Sequence, residues 1–324
     1  MRNLTVRLNK IVSRYFLVVV VVGIAAGLSL PDGVSNLRVV LPYLLATIVF
    51  TMGTSCTVES FKSIIVYPRG FITALILIFV VMPLIGFAVG SLFYAGDPEL
   101  LFGHVLVAVV PVAVTSVVWT GIAKGDIALS IALVTFVTLI SGAALPLQLS
   151  IYVGQVVAFD AWSLVRNLTL TIVLPAMAGL LVRNRAPRLV KYARPYMDLL
   201  AKLGMTTILL VNGSVLKPVV ANLGWGLSAI VLVVAVQVVA NFAAAFGISA
   251  LFLGRGSESQ SAVMYSSSMR NNAAGLVIAS NYVAPAVALP VIGSLLLQHF
   301  VAGLFGRVVR RAERRAGRDP ARES

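Results

Sequence analysis

Two apolar segments, one in each half of the chain, contain polar residues that could bind a charged solute. In the first, Thr115 and Ser116 follow Pro111 within a run rich in valine. In the second, residues 265–275 contain three serines, two asparagines and one arginine. Hydroxyl, amide and guanidinium groups can coordinate an ion or hydrogen-bond to an anion. The candidate binding residues are Thr115, Ser116, Ser267, Ser268, Arg270, Asn271 and Asn272.

Arg270 has the most specific chemistry of this set. A charged side chain in the middle of a membrane span costs about 2.5–3.5 kcal/mol or more and usually serves a function. The acidic residues Glu59, Asp126 and Asp198 lie near the ends of apolar runs, so none shares the depth of Arg270. We therefore expect Arg270 to bind an anionic substrate or to neutralise carbonyl groups at a helix C-terminus. The alternative is a side chain that extends along lipid to the headgroups.

Both polar segments are expected to interrupt their helices. Pro111 removes a backbone hydrogen bond and crowds the preceding turn, and the Val, Ser and Thr residues around it are weak helix formers. An interrupted helix exposes N–H groups, which attract anions, and carbonyl groups, which attract cations. Two breaks that cross near the membrane midplane would therefore form a binding site. The alternatives are a simple kink at Pro111 and a helix-packing role for the serines.

Other polar residues predict structural contacts. Asp198 and Lys202, four residues apart, are expected to pair on one face of a helix. His104 and His299 lie near span ends, where we expect hydrogen bonding rather than proton relay. Gln237, in an apolar run, is expected to hydrogen-bond between helices.

The elements that must position these residues are membrane-spanning helices. Hydrophobic residues make up 59% of the 324 residues and charged residues only 11%, whereas soluble domains carry about 25% charged residues. A spanning helix needs about 20 predominantly apolar residues, which leaves no room for a soluble domain. Ten spans are predicted, near residues 15–30, 37–57, 70–95, 101–123, 127–155, 164–182, 197–214, 224–253, 259–282 and 285–307.

The charge distribution orients these spans. With the N-terminus in the cytoplasm, 20 of the 25 Lys and Arg residues fall on the inner side and three on the outer side, as the positive-inside rule requires. The segments 1–14 and 308–324 are then a cytoplasmic N-terminus and a basic cytoplasmic tail. The net charge of +14 follows from this topology and from contact with anionic membrane lipid. The Lys and Arg residues do not form a basic face of the kind that binds nucleic acid, so no nucleic-acid partner is expected.

Ten spans divide into two sets of five, residues 15–155 and 164–307. Because five is odd, the second set runs inverted relative to the first, which is the design of many secondary transporters. The fourth and ninth spans, which carry the candidate residues, then occupy matching positions in the two repeats. The predicted fold is an all-α polytopic membrane protein in which helices 4 and 9 are interrupted and cross.

No pattern in the sequence indicates an enzyme. The chain has no glycine-rich phosphate loop, no Ser/His/Asp set and no paired carboxylates, and no His, Cys, Asp or Glu cluster with metal-ligand spacing. We therefore expect no catalytic residues, no metal site and no cofactor. The single cysteine, Cys56, has no partner for an intramolecular disulfide.

Several strings resemble the bile acid:sodium symporter family. They are residues 52–61 (MGTSCTVESF), 67–70 (YPRG), 80–83 (VVMP), 120–130 (TGIAKGDIALS) and the Arg-Asn-Asn at 270–272. The resemblance spans residues 10–308. It implies a panel domain of helices 1, 2, 6 and 7, a core domain of helices 3, 4, 5, 8, 9 and 10, and alternating access between them. Bacterial members are inner-membrane proteins that carry organic anions, and we expect the same location here.

The chain departs from this family at its sodium sites. The resemblance assigns Ser116 and Ser130 to two sodium-ligand positions and Ser267 or Ser268 to the position of the usual glutamate. Apolar residues replace further ligands, namely Val117, Val134 and Ile78, whereas Asn271 stands in place of a glutamine. The remnants of the ion sites are therefore Ser116, Ser130, Ser267 and Asn271. Without a carboxylate these sites suit sodium poorly, and we expect Arg270 to supply the positive charge instead.

The sequence thus predicts a secondary-active or facilitative transporter of a small organic anion that is not classically sodium-coupled. One alternative is a sodium-coupled organic-anion symporter. Another is an oxyanion or metalloid efflux carrier, because residues 118–120 and 124–126 also resemble arsenite exporters, although this chain has no cysteine in its fourth helix. A membrane enzyme or scaffold is the third class. A monomer is the working expectation for the oligomeric state.

Overall fold

A computed structural model describes residues 5–315 except 7, 10, 11, 13, 14, 58, 60, 61, 156–158 and 225. The described residues are almost entirely helical and contain one isolated β-bridge but no strand. The helices are α1 (Phe16–Ser29), α2 (Leu41–Gly53), α3 (Lys62–Val66), α4 (Pro68–Tyr94), α5 (Pro98–Val109), α6 (Thr115–Ile122), α7 (Ile127–Val153), α8 (Ala161–Arg185), α9 (Pro187–Leu223), α10 (Gly226–Leu253), α11 (Glu258–Ser268), α12 (Asn272–Tyr282) and α13 (Ala288–Arg315). Short 3₁₀ segments, Asp32–Val40 and Pro285–Val287, precede α2 and α13.

Seven helices in the described part of the chain are long and apolar enough to cross a membrane. They are α4, α7, α8, α9 and α10, together with α2 and α13 extended by their 3₁₀ segments. The all-helical membrane fold expected from composition is therefore confirmed. The predicted fourth and ninth spans are each divided into two short helices, so neither reaches the length of a full crossing. The count of ten spans in two inverted repeats stays a prediction.

Two proline-containing helices adjust locally without breaking. In α4 a π-helical turn, Leu77–Val81, directly precedes Met82 and Pro83. In α8 a second π-turn, Thr169–Val173, stands in the same relation to Leu174 and Pro175. Proline cannot donate a backbone hydrogen bond, and a π-turn lets the helix continue past that position. Both helices keep the length of a full crossing.

Helices α1, α2, α8 and α9 form one packed group, in which α8 also contacts α7. Among the described residues, α1 and α2 pack on α9, and α2 also packs on α8. A Cβ atom on Gly27 of α1 would lie 2.9 Å from Cα of Gly213 of α9 and would collide with the carbonyl oxygen of Leu210. This backbone proximity is typical of small residues at membrane helix interfaces. In the other group α10 packs on α11 and α13, and α4 packs on α5.

Two helices extend beyond the spans predicted from hydropathy. Helix α9 has 37 residues, whereas the prediction was 197–214, because the basic segment 187–196 continues the helix despite Pro195 in its interior. Helix α13 reaches Arg315, eight residues past the predicted end at 307. Hydropathy marks where a helix lies in lipid, but a helix can continue past the headgroups when its residues favour it. The remainder of the basic tail, 316–324, is outside the described residues.

Candidate functional site

The two interrupted helices cross at their breaks. We call residues 110–114, between α5 and α6, the first break, and residues 269–271, between α11 and α12, the second break. Val112 and Arg270 form an antiparallel bridge. The Ala113 N–H donates to the Met269 carbonyl at 3.0 Å, and the Asn271 N–H donates to the Pro111 carbonyl at 2.8 Å. The breaks satisfy each other's backbone groups, which lipid could not do.

Pro111 is suited to this arrangement. In the first break its carbonyl accepts from Asn271, and its missing N–H costs nothing there because no helical bond is required. The predicted interruption of both helices is therefore observed, and the simple kink at Pro111 is wrong. The predicted crossing of the fourth and ninth spans is observed as well.

Gln298 of α13 completes the backbone pairing of the second break. Its Oε1 accepts from the Arg270 N–H at 3.0 Å, and its Nε2 donates to the Arg270 carbonyl at 3.3 Å. The Gln298 side chain is 3% exposed. A single amide thus occupies the edge of the second break that the first break does not cover. Sequence reasoning missed Gln298, although a glutamine directly after three leucines, at 295–297, was a usable signal.

The Arg270 side chain is buried at the crossing, with 2% of its surface exposed. Its Nη1 donates to the Val110 carbonyl at 3.3 Å, whereas Nε and Nη2 are buried without a hydrogen-bond partner. Every residue from 260 to 280 is buried, so the alternative of an arginine extending to the lipid headgroups is wrong. Arg194–Asp198 is the one ion pair among the described residues, and Arg270 has no carboxylate partner there.

Electrostatics explains why a cation is stable at this place. Helix α5 ends at Val109 and helix α11 ends at Ser268, so both present C-terminal carbonyl groups to the crossing. Each helix C-terminus carries roughly half a negative charge. The guanidinium of Arg270 bonds to the carbonyl of Val110, the residue that caps α5. This contact is the one expected of a cation that neutralises helix C-terminal carbonyls.

A chain of hydroxyl groups connects the two halves of the sequence through α6, α7 and α11. Ser130 Oγ of α7 and Ser266 Oγ of α11 are 2.9 Å apart, and Thr120 Oγ1 donates to Ser130 Oγ at 3.3 Å. The Oγ atoms of Ser116 and Ser267 are buried without a partner. Ser130 is therefore already engaged, while two hydroxyls near the breaks keep their hydrogen-bonding capacity. Ser266 was not among the predicted site residues.

The remaining predicted residues have distinct surroundings. Ser268 Oγ donates to the Asn241 carbonyl at 3.3 Å. Asn271 caps α12, since its Oδ1 accepts from the Ala274 N–H at 3.4 Å. Both polar atoms of the Asn272 side chain are buried without a partner. The crossing thus combines satisfied backbone groups with several unsatisfied polar side-chain atoms.

The apolar residues expected at the sodium positions are buried or half-buried. Ile78 is 2% exposed and Val134 is 1% exposed, and Val117 is half-buried. Their side chains have no oxygen or nitrogen to offer a cation. The unpaired polar side-chain atoms near the breaks include the hydroxyls of Ser116 and Ser267, the Asn272 amide, and Nε and Nη2 of Arg270.

A cavity of about 350 Å³ lies next to the first break. Thr115, on the exposed side of α6, lines it directly. Met52 also lines it, and the Asn271 amide approaches the Met52 sulfur at 3.9 Å, so the second break reaches the cavity wall. The other wall residues are Val12, Phe16, Val19, Ile48, Thr51, Ser55, Val114, Val118, Arg194, Asp198, Ala201, Lys202, Met205, Thr206 and Leu209.

A second cavity of about 650 Å³ shares Ser55 and Arg194 with the first. Three further cations, Arg183, Arg188 and Lys191, line it, and its lining contains no carboxylate. A cavity lined by these cations attracts anions, which include solutes and lipid headgroups. The two cavities therefore adjoin each other at Ser55 and Arg194.

The predicted ion pair between Asp198 and Lys202 is wrong. Asp198 Oδ1 pairs instead with Arg194 Nε at 2.8 Å, one turn in the opposite direction. Lys202 Nζ donates to the main-chain oxygen and Oδ1 of Asn9, at 2.9 and 3.0 Å. The spacing rule allows both pairings of Asp198, and Arg has a planar fork that suits a carboxylate better than an ammonium does.

Hydrogen bonding of the histidines follows the prediction. His104 Nδ1 contacts Gln237 Oε1, and Gln237 Nε2 donates to the His104 carbonyl at 2.8 Å, which joins α5 to α10. His299 Nδ1 accepts from Trp119 Nε1 at 3.3 Å. The expected interhelical role of Gln237 is confirmed.

An all-helical, multi-pass chain with two interrupted helices that cross at a buried polar centre belongs to the class of membrane transporters. Residues 42–223, more than half of the chain, match the model of the Sodium Bile acid symporter family. The chain belongs to this family, as its sequence motifs predicted.

Relatives of known name agree with this assignment. An uncharacterised protein of Bacillus subtilis, YbaS, is 27% identical over 90% of this chain and 95% of its own length. A probable sodium/metabolite cotransporter of rice chloroplasts, BASS1, is 27% identical over 74% of this chain and 58% of its own. The rat hepatic sodium/bile acid cotransporter is 28% identical over 60% of this chain and 55% of its own. The family and the names of the rice and rat relatives indicate transporters and not enzymes, which confirms that expectation.

Proposed function

We propose that the protein is a secondary transporter that carries a small organic anion by alternating access and does not depend on sodium. The observation that carries this proposal is the buried contact of the Arg270 guanidinium with the Val110 carbonyl at the crossing of the two breaks. A permanent cation is held where helix C-termini would otherwise attract a mobile one.

The proposed topology has ten crossings with both termini in the cytoplasm of a bacterium, and the inner membrane as its location. Seven long helices, the shorter apolar helix α1 and the two interrupted pairs α5–α6 and α11–α12 supply the elements for this count. The excess of Lys and Arg on one side supports the orientation. Inverted repeats are frequent in secondary transporters, in which the interrupted helices of each repeat meet at the binding site.

The packing of the helices supports the proposed motion. A panel of α1, α2, α8 and α9 would move against a core that holds the two breaks. The 350 Å³ cavity lies between these groups, because α1, α2 and α9 line one side and residues of the first break and α6 line the other. A relative movement of panel and core would open this cavity to one side of the membrane at a time.

The charges around the two cavities favour an anionic cargo. The 650 Å³ cavity has four cationic residues and no carboxylate in its lining. The 350 Å³ cavity adds Lys202, while its single carboxylate, Asp198, is paired with Arg194. Its apolar wall residues would accommodate the body of an organic solute.

Sodium-coupled symport is the second candidate function, because several relatives carry sodium in their names. The unpaired oxygens of Ser116, Ser267 and Asn272 are available to a cation. Against sodium stand the missing carboxylate and the charge of Arg270, since a second cation nearby would be repelled. Metalloid efflux is less favoured, because Cys56 lies outside the interrupted helices and its thiol contacts the Met52 carbonyl at 3.6 Å.

Transport measurements decide between these functions. The purified protein is reconstituted into liposomes, and uptake of labelled octanoate, phenylacetate and cholate is followed with either an inward sodium gradient or an equal potassium gradient. We expect uptake of at least one anion, with rates in the two gradients within about twofold of each other. Strong stimulation by sodium would establish the symporter instead. Arg270→Gln protein provides the control for uptake that does not require the crossing.

A further inference from the structure

Lys202 is a cation within a membrane-spanning helix that has only neutral hydrogen-bond partners. It lies on α9 and lines the 350 Å³ cavity. Its Nζ donates to the main-chain oxygen and Oδ1 of Asn9, 193 residues away in sequence. The nearest carboxylate along its helix, Asp198, is bound by Arg194 at 2.8 Å.

Amide oxygens are weaker partners for an ammonium group than a carboxylate is. Hydrogen bonds between two ionised groups are shorter and roughly twice as strong as neutral ones. An anion that entered the cavity would therefore gain more from Lys202 than the Asn9 amides do. Because Asn9 contributes both of its oxygens to the same ammonium, it reproduces the two oxygens of a carboxylate without the charge.

The surroundings of Lys202 define the kind of anion that fits. Ile48, Met52, Val114, Met205 and Leu209 provide an apolar wall. Three threonines, Thr51, Thr115 and Thr206, line the same cavity. A volume of about 350 Å³ is at the lower end of small-molecule pockets. These features suit a monoanion with one carboxylate or sulfonate group and a compact apolar body.

We propose that Lys202 binds the anionic group of the solute and that Asn9 occupies this position until the solute displaces it. The inference rests on the proposed function for the identity of the cavity as the solute pathway. In this proposal the two cations have different roles. Arg270 neutralises helix ends at the crossing, whereas Lys202 selects for a negatively charged solute.

Displacement of Asn9 would also alter the wall of the cavity. The Asn9 Nδ2 donates to the Pro195 carbonyl at 2.7 Å, so this residue is tied to α9 at two points. Val12 and Phe16, which follow it in the chain, line the same cavity. Binding of a solute at Lys202 would therefore release one of the two contacts that hold Asn9 to α9.

The test compares Lys202→Met with Lys217→Met. Lys217 lies on the same helix, outside both cavities, and its Nζ donates to the Leu30 carbonyl at 3.4 Å. Purified full-length proteins are titrated with octanoate, phenylacetate and cholate, and with the neutral octanamide and phenylacetamide, while thermal stability is recorded. Anions but not amides should stabilise the wild type, and Lys202→Met should bind about 10- to 100-fold more weakly. Lys217→Met should bind as the wild type does.

Asn9→Ala tests the displacement. Loss of the competing side-chain oxygen should tighten anion binding several-fold, whereas a loss as large as that of Lys202→Met would overturn the stand-in role. Lys202→Arg keeps the charge and should retain most of the binding, which guards against a folding defect in Lys202→Met. If an anion is carried and Lys202→Met binds it like the wild type, this inference fails alone. If the wild type neither binds nor carries any of the anions, the proposed function fails with it.

Discussion

Gln298 and Arg270 are joined through two hydrogen bonds between one side-chain amide and one backbone unit. The amide imitates a neighbouring strand, so the second break is bounded by the first break on one edge and by α13 on the other. The polar backbone at the crossing is thereby shielded from lipid without a sheet.

Gln298→Leu should destabilise the protein by about 1–3 kcal/mol, because it leaves the buried Arg270 N–H without a partner, whereas the Arg270 carbonyl still accepts from the Asn272 N–H at 3.0 Å. The thermal unfolding midpoint in detergent measures this change. Gln155→Leu, at an exposed position, is the matched control and should alter the midpoint little. Equal midpoints for the two variants would contradict the role given to Gln298.

Arg270→Met should separate stability from transport. Removal of a buried charge that has no carboxylate partner relieves its desolvation cost, which offsets the loss of the bond to Val110, so the unfolding free energy should change by no more than about 2 kcal/mol. Transport should fall by about 100-fold or more, because the helix C-termini at the crossing lose their cation. Uptake assays and thermal unfolding on the same preparation give both numbers. A variant that transports normally would refute the role of Arg270.

Asn272→Leu should stabilise the protein and impair transport. Both polar atoms of the Asn272 side chain are buried without partners, which costs about 1–3 kcal/mol for each unsatisfied group. A rise in the unfolding midpoint with reduced uptake is expected. Asn281→Leu serves as the control, since the Asn281 amide donates to the Val277 carbonyl at 3.2 Å and gains nothing from replacement. A lower midpoint for Asn272→Leu would show that its amide is satisfied in the working protein.

Gly27→Ala should destabilise the contact between α1 and α9 by about 1–3 kcal/mol, because the added methyl group meets the backbone of Leu210 and Gly213. Gly247→Ala is the matched control, as its added methyl meets no atom within 4 Å. On helix propensity alone the control should gain up to about 1 kcal/mol. Thermal unfolding in detergent compares the two, and a similar effect of both substitutions would rule out the close helix approach.

The proposed orientation can be tested with single cysteines. In a Cys56→Ala background, Lys191→Cys should react with an impermeant maleimide in inside-out vesicles, since Lys191 lines the basic cavity. Lys217→Cys, near the opposite end of α9, should react in right-side-out vesicles. The reverse pattern would place the termini outside the cell.

Much of the candidate site could be predicted because membrane depth makes polar residues conspicuous. Arg270 and the serines before it stand out against an apolar background, and Pro111 marks the matching place in the first half. The backbone pairing of residues 111–113 with 269–271 follows from the need to satisfy groups that lipid leaves bare.

Other parts depended on tertiary contacts that spacing does not encode. Asp198 has cations one turn away on either side, and it pairs with Arg194 while Lys202 bonds to Asn9, which is 193 residues away in sequence. The role of Gln298 depends on its hydrogen bonds to the backbone of Arg270, which is 28 residues away in sequence. The 37-residue length of α9 was hidden because its first turns are charged and so resemble a loop by hydropathy.

The bridge between Val112 and Arg270 also constrains how the chain is assembled. Arg270 and the carbonyl of Val110 to which it bonds are separated by 160 residues. At about 5–20 residues per second, the first break would wait on the order of ten seconds or longer for its partner to be synthesised. During that interval the backbone N–H and carbonyl groups of the first break need other hydrogen-bond partners, such as water or the insertion machinery. Biogenesis of this protein should therefore be more sensitive to slowed translation of its second half than to slowed translation of its first.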